Sequence, residues 1–400
     1  MRTFLTSIVL LLTTAVGAQK PVVLRDFPQL KWKIKSGPIM GSPVADNGFV
    51  YFASQDSALH AIDIANGKEA WKYKFRAGSR STPAIDKESV YIISEDATLY
   101  NINKNSGKLT WQFITPQGTL GERIYDRADY YQSSPVVHND RIYFGMGDVL
   151  YAVNNNGTLA WTFKTGNLVH TRPAIANDKI IFGSYDGYVY ALQLQTGVQL
   201  WKFKTVGQRY FPNGEVTGNP VISRNQVFIG SRDYNIYALE INTGYCHWNK
   251  QFPKGWALSA TVSRDSVLYL GTSDDYVMIA MDPRLGTEHW RTPVKYNIFG
   301  GFAVSQTVGY VGTLMGKLYG IDLKTGAILW SFDGEGYKAN RKKYFNAEGK
   351  HPDAVLSTFG NFSEVVKMYG ALGAIFSTPT LTSDRLIFTA ADGWTYCLGK

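Results

Sequence analysis

One phrase recurs along this 400-residue chain and restricts its fold more than any other feature. Seven times a polar turn carries a glycine, and a tryptophan follows four residues later. The copies are "AIDIANGKEAW" (61–71), "NINKNSGKLTW" (101–111), "AVNNNGTLAW" (152–161), "ALQLQTGVQLW" (191–201), "ALEINTGYCHW" (238–248), "AMDPRLGTEHW" (280–290) and "GIDLKTGAILW" (320–330). With Trp32 included, the tryptophans of these phrases lie 39 to 50 residues apart. A period near 40 suits propeller blades and some helical solenoids. The glycine decides for strands, because a polar turn with a residue free to take positive φ is a hairpin signal.

Each unit holds three further short stretches: a Pro-marked one ("SPVAD" at 42, "TPAID" at 82, "SPVVH" at 134, "RPAIA" at 172, "NPVIS" at 219, "TPTLT" at 378), a β-branched run such as "KIIFGSYDG", and an alternating run such as "YVYAL". None has the period or length of a helix. Four short strands joined by tight turns make one propeller blade. Inner strands begin near 42, 82, 134, 172, 219, 259, 301 and 378, so eight blades are expected. The first tryptophan strand, "QLKWKIK", has no strands before it, and the last three strands have no tryptophan strand after them. Pairing the two remnants closes the ring and hides an otherwise open sheet edge. The expected fold is therefore an all-β, eight-bladed propeller with four antiparallel strands per blade, closed by the N-terminal strand in the last blade. A blade cannot bury its faces alone, so each copy becomes the next one's core.

These phrases resemble the pyrroloquinoline quinone-type propeller repeat, whose motif A-x-D-x-x-T-G-x-x-x-W docks neighbouring blades; the resemblance covers residues 29–400. It implies that Gly67, Gly107, Gly157, Gly197, Gly244, Gly286 and Gly326 let the backbone approach a neighbour while the tryptophans stack between blades. The Asp of the S-x-D turns (Asp56, Asp96, Asp186, Asp233, Asp274, Asp392) reads as a turn-maker bonding to backbone two residues on. The family includes quinone-dependent alcohol and sugar dehydrogenases, outer-membrane assembly lipoproteins and sensor domains, so fold alone does not choose a function. Its large alcohol dehydrogenases use an adjacent cysteine pair beside the quinone, a calcium ion held by carboxylates, and an Asp base. Here the cysteines are Cys246 and Cys397, on strands of different blades, which excludes both a vicinal pair and a disulfide between them.

Residues 1–18 read as a cleaved secretory signal: a short charged start, the apolar run "LTSIVLLLTTAV", and small residues before Gln19. About a dozen apolar residues fall short of the roughly 20 a membrane span needs, and no later stretch comes closer. Residues 19–400 are expected to form one propeller domain, periplasmic or secreted, with no lipid-anchor Cys. The net charge of +9 is scattered, and no basic strip interleaved with aromatics points to nucleic acid. The six histidines (60, 138, 170, 247, 289, 351) show no metal-ligand spacing, and neither G-x-S-x-G nor a phosphate loop occurs.

Three outer-to-inner connections are long: 115–132, 205–218 and 333–376. Being the same connection type, they should emerge on one face beside the mouth of the central channel, the side on which repeat proteins often bind. In the third, Pro352 and Asp353 predict a short helix ended by Gly360. Asn361 with Glu364 predicts a capped second helix ended by Gly370. The cluster Lys338, Arg341, Lys342 and Lys343 reads as a solvated loop. Candidate binding residues at the mouth are Arg80, Arg123, Arg127, Tyr131, His170, Arg172, Arg209, Trp256, Lys295 and Asn297. In quinone-binding relatives the cofactor sits on this face, stacked on an aromatic and held by basic groups, and Trp256 and Arg172 are the matching types. Glu122, Asp126, Asp129 and Glu215 could supply metal oxygens if folded inward.

Two readings follow. The first is an exported, monomeric, non-catalytic binding or scaffold protein whose insert-bearing face takes an envelope protein or an anionic ligand, without a cofactor or a resident metal. The second is a quinoprotein oxidoreductase, an alcohol or sugar dehydrogenase using pyrroloquinoline quinone (PQQ) and calcium.

Overall fold

The computed structural model describes residues 20–116, 129–263 and 267–400. The signal segment, Glu122, Arg123, Asp126 and Arg127 lie outside the described residues. Eight four-stranded antiparallel sheets form among them, each with strand order following the chain except the last. Blade 1 shows the pattern: β2 (Val44–Asp46) innermost, then β3 (Phe49–Ser54), β4 (Ala58–Asp63) and β5 (Glu69–Lys74) outermost. In the eighth sheet the outer strand is β1 (Gln29–Lys35), running antiparallel to Trp394–Gly399, with Gln29 opposite Gly399 and Lys35 opposite Trp394. The two sequence remnants do complete one blade. No helix among the described residues is long and apolar enough to cross a membrane.

Each repeat's tryptophan docks the next blade by one recurring contact. Its indole Nε1 donates to a carbonyl in the following blade's outer hairpin: Trp32 to Ile64 at 2.7 Å, Trp71 to Lys104 at 2.9 Å, Trp201 to Ile241 at 3.0 Å, Trp290 to Leu323 at 2.9 Å. Blade 8 has no such hairpin, because its outer strand comes from the other end of the chain. Residues 22–25, just ahead of β1, replace it. Trp330 donates to the Leu24 carbonyl at 2.8 Å, Leu24 N donates to Tyr310 Oη at 2.7 Å, and Arg25 pairs with Asp322 at 2.9 Å. The closing segment therefore contributes a docking surface as well as a strand, which its sequence did not announce.

The repeated glycine is explained by two demands at once. Gly197 holds φ +73°, and a Cβ there would stand 2.6 Å from Trp161 Cε3, in the ring that docks on it. Gly197→Ala is expected to cost about 2–4 kcal/mol, from the left-handed backbone plus the displaced indole, lowering Tm by about 3–5 °C. Gly349, at φ +75° with nothing within 4 Å of the added carbon, carries the backbone cost alone. Gly349→Ala should therefore shift Tm by no more than about 2 °C in the same calorimetric comparison. Equal shifts would mean that indole contact is not what excludes a side chain.

The 333–376 connection forms three helices: α1 (Glu335–Tyr344), α2 (Asp353–Leu356) and α3 (Phe362–Leu372). The expected solvated loop is α1, which carries Lys338, Arg341, Lys342 and Lys343. Its basic last turn suits the negative end of the helix dipole. No side chain caps its start at Gly334, so the sequence holds no capping signal there. Asn361 caps α3 by accepting from Ser363 N at 3.0 Å, but Glu364 turns outward to Lys367 at 2.8 Å instead of completing the pair. The helix passes through Gly370 and stops at Gly373, the glycine that takes the left-handed φ of +69° a C-terminal cap needs.

Candidate functional site

The two hairpin levels of every blade fix which loops share a face. The outer-to-inner connections and the S-x-D turns lie on one side, and the other turns lie opposite. The second and third long connections and the described end of the first, 129–132, therefore meet over one mouth of the channel, as their spacing implied. That mouth is filled. Tyr131, arriving from the first connection, stacks on Phe299 of the facing blade (centroids 6.1 Å, planes 16° apart), and its hydroxyl donates to the Phe299 carbonyl at 3.3 Å. Tyr130 packs on Phe376 at 4.9 Å and edge-on against Tyr369 of α3 at 5.8 Å. Trp256, Leu258, Leu314, Tyr344, Phe345, Met368 and Leu372 complete the aromatic plug beneath the helices.

A polar group sits inside this plug. Arg232, fully buried, holds its guanidinium 5.0 Å from the Trp256 ring centroid, 5.2 Å from Tyr185 and 5.6 Å from Phe211. Desolvated stacking of this kind is where a guanidinium–ring attraction is strongest. Phe211 meets Trp256 edge-on at 5.1 Å, so an arginine and a second ring already cover the indole. Beside it, Asp129 Oδ1 accepts from the Tyr185 hydroxyl at 2.7 Å and lies 3.0 Å from His170 Nδ1. Burial, reinforced by the charge of Asp129, raises the Tyr185 pKa well above its usual value, so its phenol remains the donor.

The expected residues divide accordingly. Tyr131, His170 and Trp256 meet at the plug. Arg80 is buried and clamps the incoming connection: Nε donates to Glu95 at 2.8 Å, and Nη1 donates to the Asp129 and Tyr131 carbonyls at 3.2 and 3.1 Å. Asn297 is buried to one side, donating to Asp274 at 3.1 Å. Burial raises the Asp274 pKa, against the opposing pull of its Ser273 and Asn297 donors. Arg209 and Lys295 face solvent. Arg172 lies in the channel itself, lining a cavity with Val136 and Val137. It does not reach Trp256's cluster.

Sequence reading missed Arg232, although a signal existed. Four of the six turn Asp residues behave as expected: Asp96, Asp186, Asp233 and Asp392 each accept from the backbone N–H two residues on, at 3.0–3.2 Å, whereas Asp56 meets the side chains of Ser54 and His60, and Asp274 those of Ser273 and Asn297. The residue between Ser and Asp is the one that points into the mouth. Gln55, Glu95, Tyr185 and Arg232 occupy that place in turn, and Gln55 Nε2 reaches Glu95 at 3.0 Å. Arginine in "GSRDY", where the previous blade writes "GSYDG", was the visible departure.

Among the described residues, no group of three or more His, Cys, Asp or Glu is arranged to hold a metal. Cys246 and Cys397 are free thiols in the fifth and eighth blades. Burial raises both pKa values, that of Cys397 to about 12, which keeps the thiol protonated and unreactive.

Comparison with known proteins places this arrangement. No curated protein sequence matches the chain. Among solved structures, BamB from Moraxella catarrhalis superposes with a TM-score of 0.69 at 14% identity, over 94% of this chain and 100% of that one. The quinohemoprotein alcohol dehydrogenase ADHIIG from Pseudomonas putida HK5 does so with a TM-score of 0.69 at 13% identity, over 93% of this chain and 76% of that one. A europium-containing methanol dehydrogenase gives 0.68 at 13%, over 93% of each chain. At such identities the likeness is one of fold. The sequence profile described as outer membrane protein assembly factor BamB matches residues 25–128, 127–256, 186–332 and 273–397. With that profile spanning nearly its whole length, the chain belongs to the BamB-type family of PQQ-like β-propellers.

Proposed function

We infer that this protein is an exported, non-catalytic propeller of the cell envelope that works as a monomeric binding or scaffold protein through its insert-bearing face. The observation that carries this reading is the filled mouth. Where quinone-binding relatives stack a cofactor, Arg232 and Phe211 lie against Trp256, and Tyr131 bridges to Phe299. A planar quinone would have to displace a buried cation and break a ring-to-ring stack. The described residues offer no carboxylate set for calcium and no adjacent cysteines, so quinone and calcium fit poorly here. The same face presents apolar side chains to solvent: Val206 and Tyr210 are each 71% exposed and Leu356 is 48% exposed. Such side chains on a closed, convex face suit contact with another protein. The family's description as an outer-membrane protein assembly factor and the fold likeness to BamB support an envelope partner.

The test has two arms. Titration with PQQ and calcium, followed by dye-reduction assays with alcohols and aldoses, should give neither binding heat nor turnover. Capture of an envelope protein from detergent-solubilised membranes should fall about tenfold or more with Val206→Asp plus Tyr210→Asp, as loss of two apolar contacts predicts. Quinone-dependent turnover abolished by Trp256→Ala would overturn the reading.

A further inference from the structure

The helical insert is tied to the propeller by a chain of hydrogen bonds that runs in one direction. We propose that this chain is an acid-released latch: protonation of His351 frees the α1–α2 connection and α2 from the mouth while the blades beneath stay folded. The inference concerns motion of the insert and does not depend on what that face binds.

His351 lies between α1 and α2, half-buried among rings. It stacks on Phe345 (centroids 4.6 Å, planes 27° apart) and meets Phe359 edge-on at 5.0 Å and Tyr296 at 5.3 Å. Both ring nitrogens are engaged. Nδ1 lies 2.8 Å from the Tyr344 carbonyl at the end of α1, and Nε2 lies 2.7 Å from the hydroxyl of Tyr296, in the connection between the sixth and seventh blades. A carbonyl only accepts, so Nδ1 carries the proton of the neutral ring, Nε2 accepts, and Tyr296 donates. With its own proton spent, Tyr296 meets the Tyr369 hydroxyl of α3 as acceptor. Each polarity is fixed by the one before it, and three segments of the mouth are joined: the α1–α2 connection, α3 and the sixth-to-seventh blade loop.

Protonation sets a donor against a donor. Tyr296 has then to accept from the imidazolium, and its own proton loses its acceptor: Tyr369 is already donating to it, while Tyr276 at 5.8 Å and Phe345 at 5.6 Å present rings. A half-buried donor left unmatched favours opening. The other buried histidines differ, since His60 meets Asp56 and Glu69, and His170 meets Asp129. Among the described residues His351 is bonded only to a carbonyl and a phenol. The charged and titratable groups around it are Glu348, Lys350 and Asp353 on its own connection and α2, Lys343 on α1, Lys295 beside Tyr296, Asp274 and Tyr276 from the sixth blade, and Tyr369 on α3; none of these bonds to the imidazole. Burial lowers the His351 pKa, partly offset by its bond to the Tyr344 carbonyl. A released imidazole takes a proton near its ordinary pKa of about 6.5, whereas the latched one binds it more weakly. The latch is therefore at full strength above about pH 6.5 and weakens as pH falls below that, its opening constant rising by at most about tenfold per pH unit for one proton.

Amide hydrogen exchange of the full chain, followed by mass spectrometry from about pH 8 to about pH 5 and corrected for the intrinsic rate at each pH, tests this. Opening of 345–360 is expected to be constant above about pH 7 and to rise about tenfold between about pH 6.5 and about pH 5, with the strand Gln199–Lys204 unchanged. His351→Gln, neutral at every pH, and His351→Phe, which keeps the stack on Phe345, should both lose the response to acid whatever their basal opening. Asp274→Asn should keep it, which separates the histidine from the nearest buried carboxyl. In the parent, the ring ¹⁵N signals that vanish in His351→Gln should report the Nδ1–H tautomer at about pH 7.5 and protonate only below about pH 6.5. An imidazolium at the higher pH, a parent whose opening stays flat to about pH 5, a response that survives in both histidine variants, or one that Asp274→Asn abolishes would overturn the proposal.

Discussion

Deleting residues 20–36 is expected to lower Tm by about 10 °C or more, equivalent to about 8 kcal/mol for a cooperative unit of this size. The loss has separate sources. It removes the ladder from Gln29–Gly399 to Lys35–Trp394, and the Trp32 indole that docks blade 1. It also removes the Leu24 carbonyl that receives Trp330, and the buried side chains of Val22 and Leu24. Loss of a docking tryptophan alone costs about 3–5 kcal/mol, and each buried aliphatic about 1.5–3. The deleted chain would also expose Trp394–Gly399 as an open edge, so size-exclusion chromatography should show self-association. A synthetic peptide of residues 20–36 added in trans should restore the melting temperature. An unchanged Tm on deletion would show that the ring does not depend on its seam.

The second large effect is expected at Arg232. Arg232→Ala should destabilise by about 3–5 kcal/mol, lowering Tm by about 4–6 °C, because a buried charge is removed from a site built around it. Its stacking on Trp256, Tyr185 and Phe211 disappears with it. Arg232→Met, which keeps much of the volume without the charge, should recover part of the loss, since a well-packed apolar replacement of a buried ion is often tolerated. If Arg232→Ala melts with the parent, the plug owes its shape to the surrounding aromatics and not to the cation.

These two experiments probe features that were unequally legible. The seam was readable because blade docking is local and repeated: an unpaired "QLKWKIK" at one end and three unpartnered strands at the other leave one way to complete the ring. Residues 22–25 were not readable, since nothing in "VVLR" resembles the hairpin it replaces; it serves by backbone carbonyl and apolar bulk, which many sequences supply. The common face of the long connections followed from strand alternation. Which side chains meet there did not follow. Arg232, Asp129, His170 and Trp256 come from four different connections or turns, and no spacing along the chain records their convergence. Position within the repeat predicted direction, and so placed Tyr131, His170 and Trp256 together. It failed for Arg209 and Lys295, where loop geometry turns the side chain out to water. Helix α1 escaped for a related reason: its start has no capping side chain, and its charged sequence hides the contact that Gly336 and Tyr344 make with the plug.

The shared eighth blade also sets a timetable. The strand that must lock the ring, Gln29–Lys35, precedes every other blade strand along the chain, whereas its partner, Trp394–Gly399, follows them all. Until that moment blade 1 lacks its upstream neighbour and blade 7 its downstream one, and the two strands must find each other across all the intervening blades, a slow non-local step. A chain interrupted before Trp394–Gly399 cannot latch. Completion of the eighth blade is thereby read out as a change in mechanical state, and proteases that cleave open sheet edges would sort closed rings from open ones without recognising any particular signal.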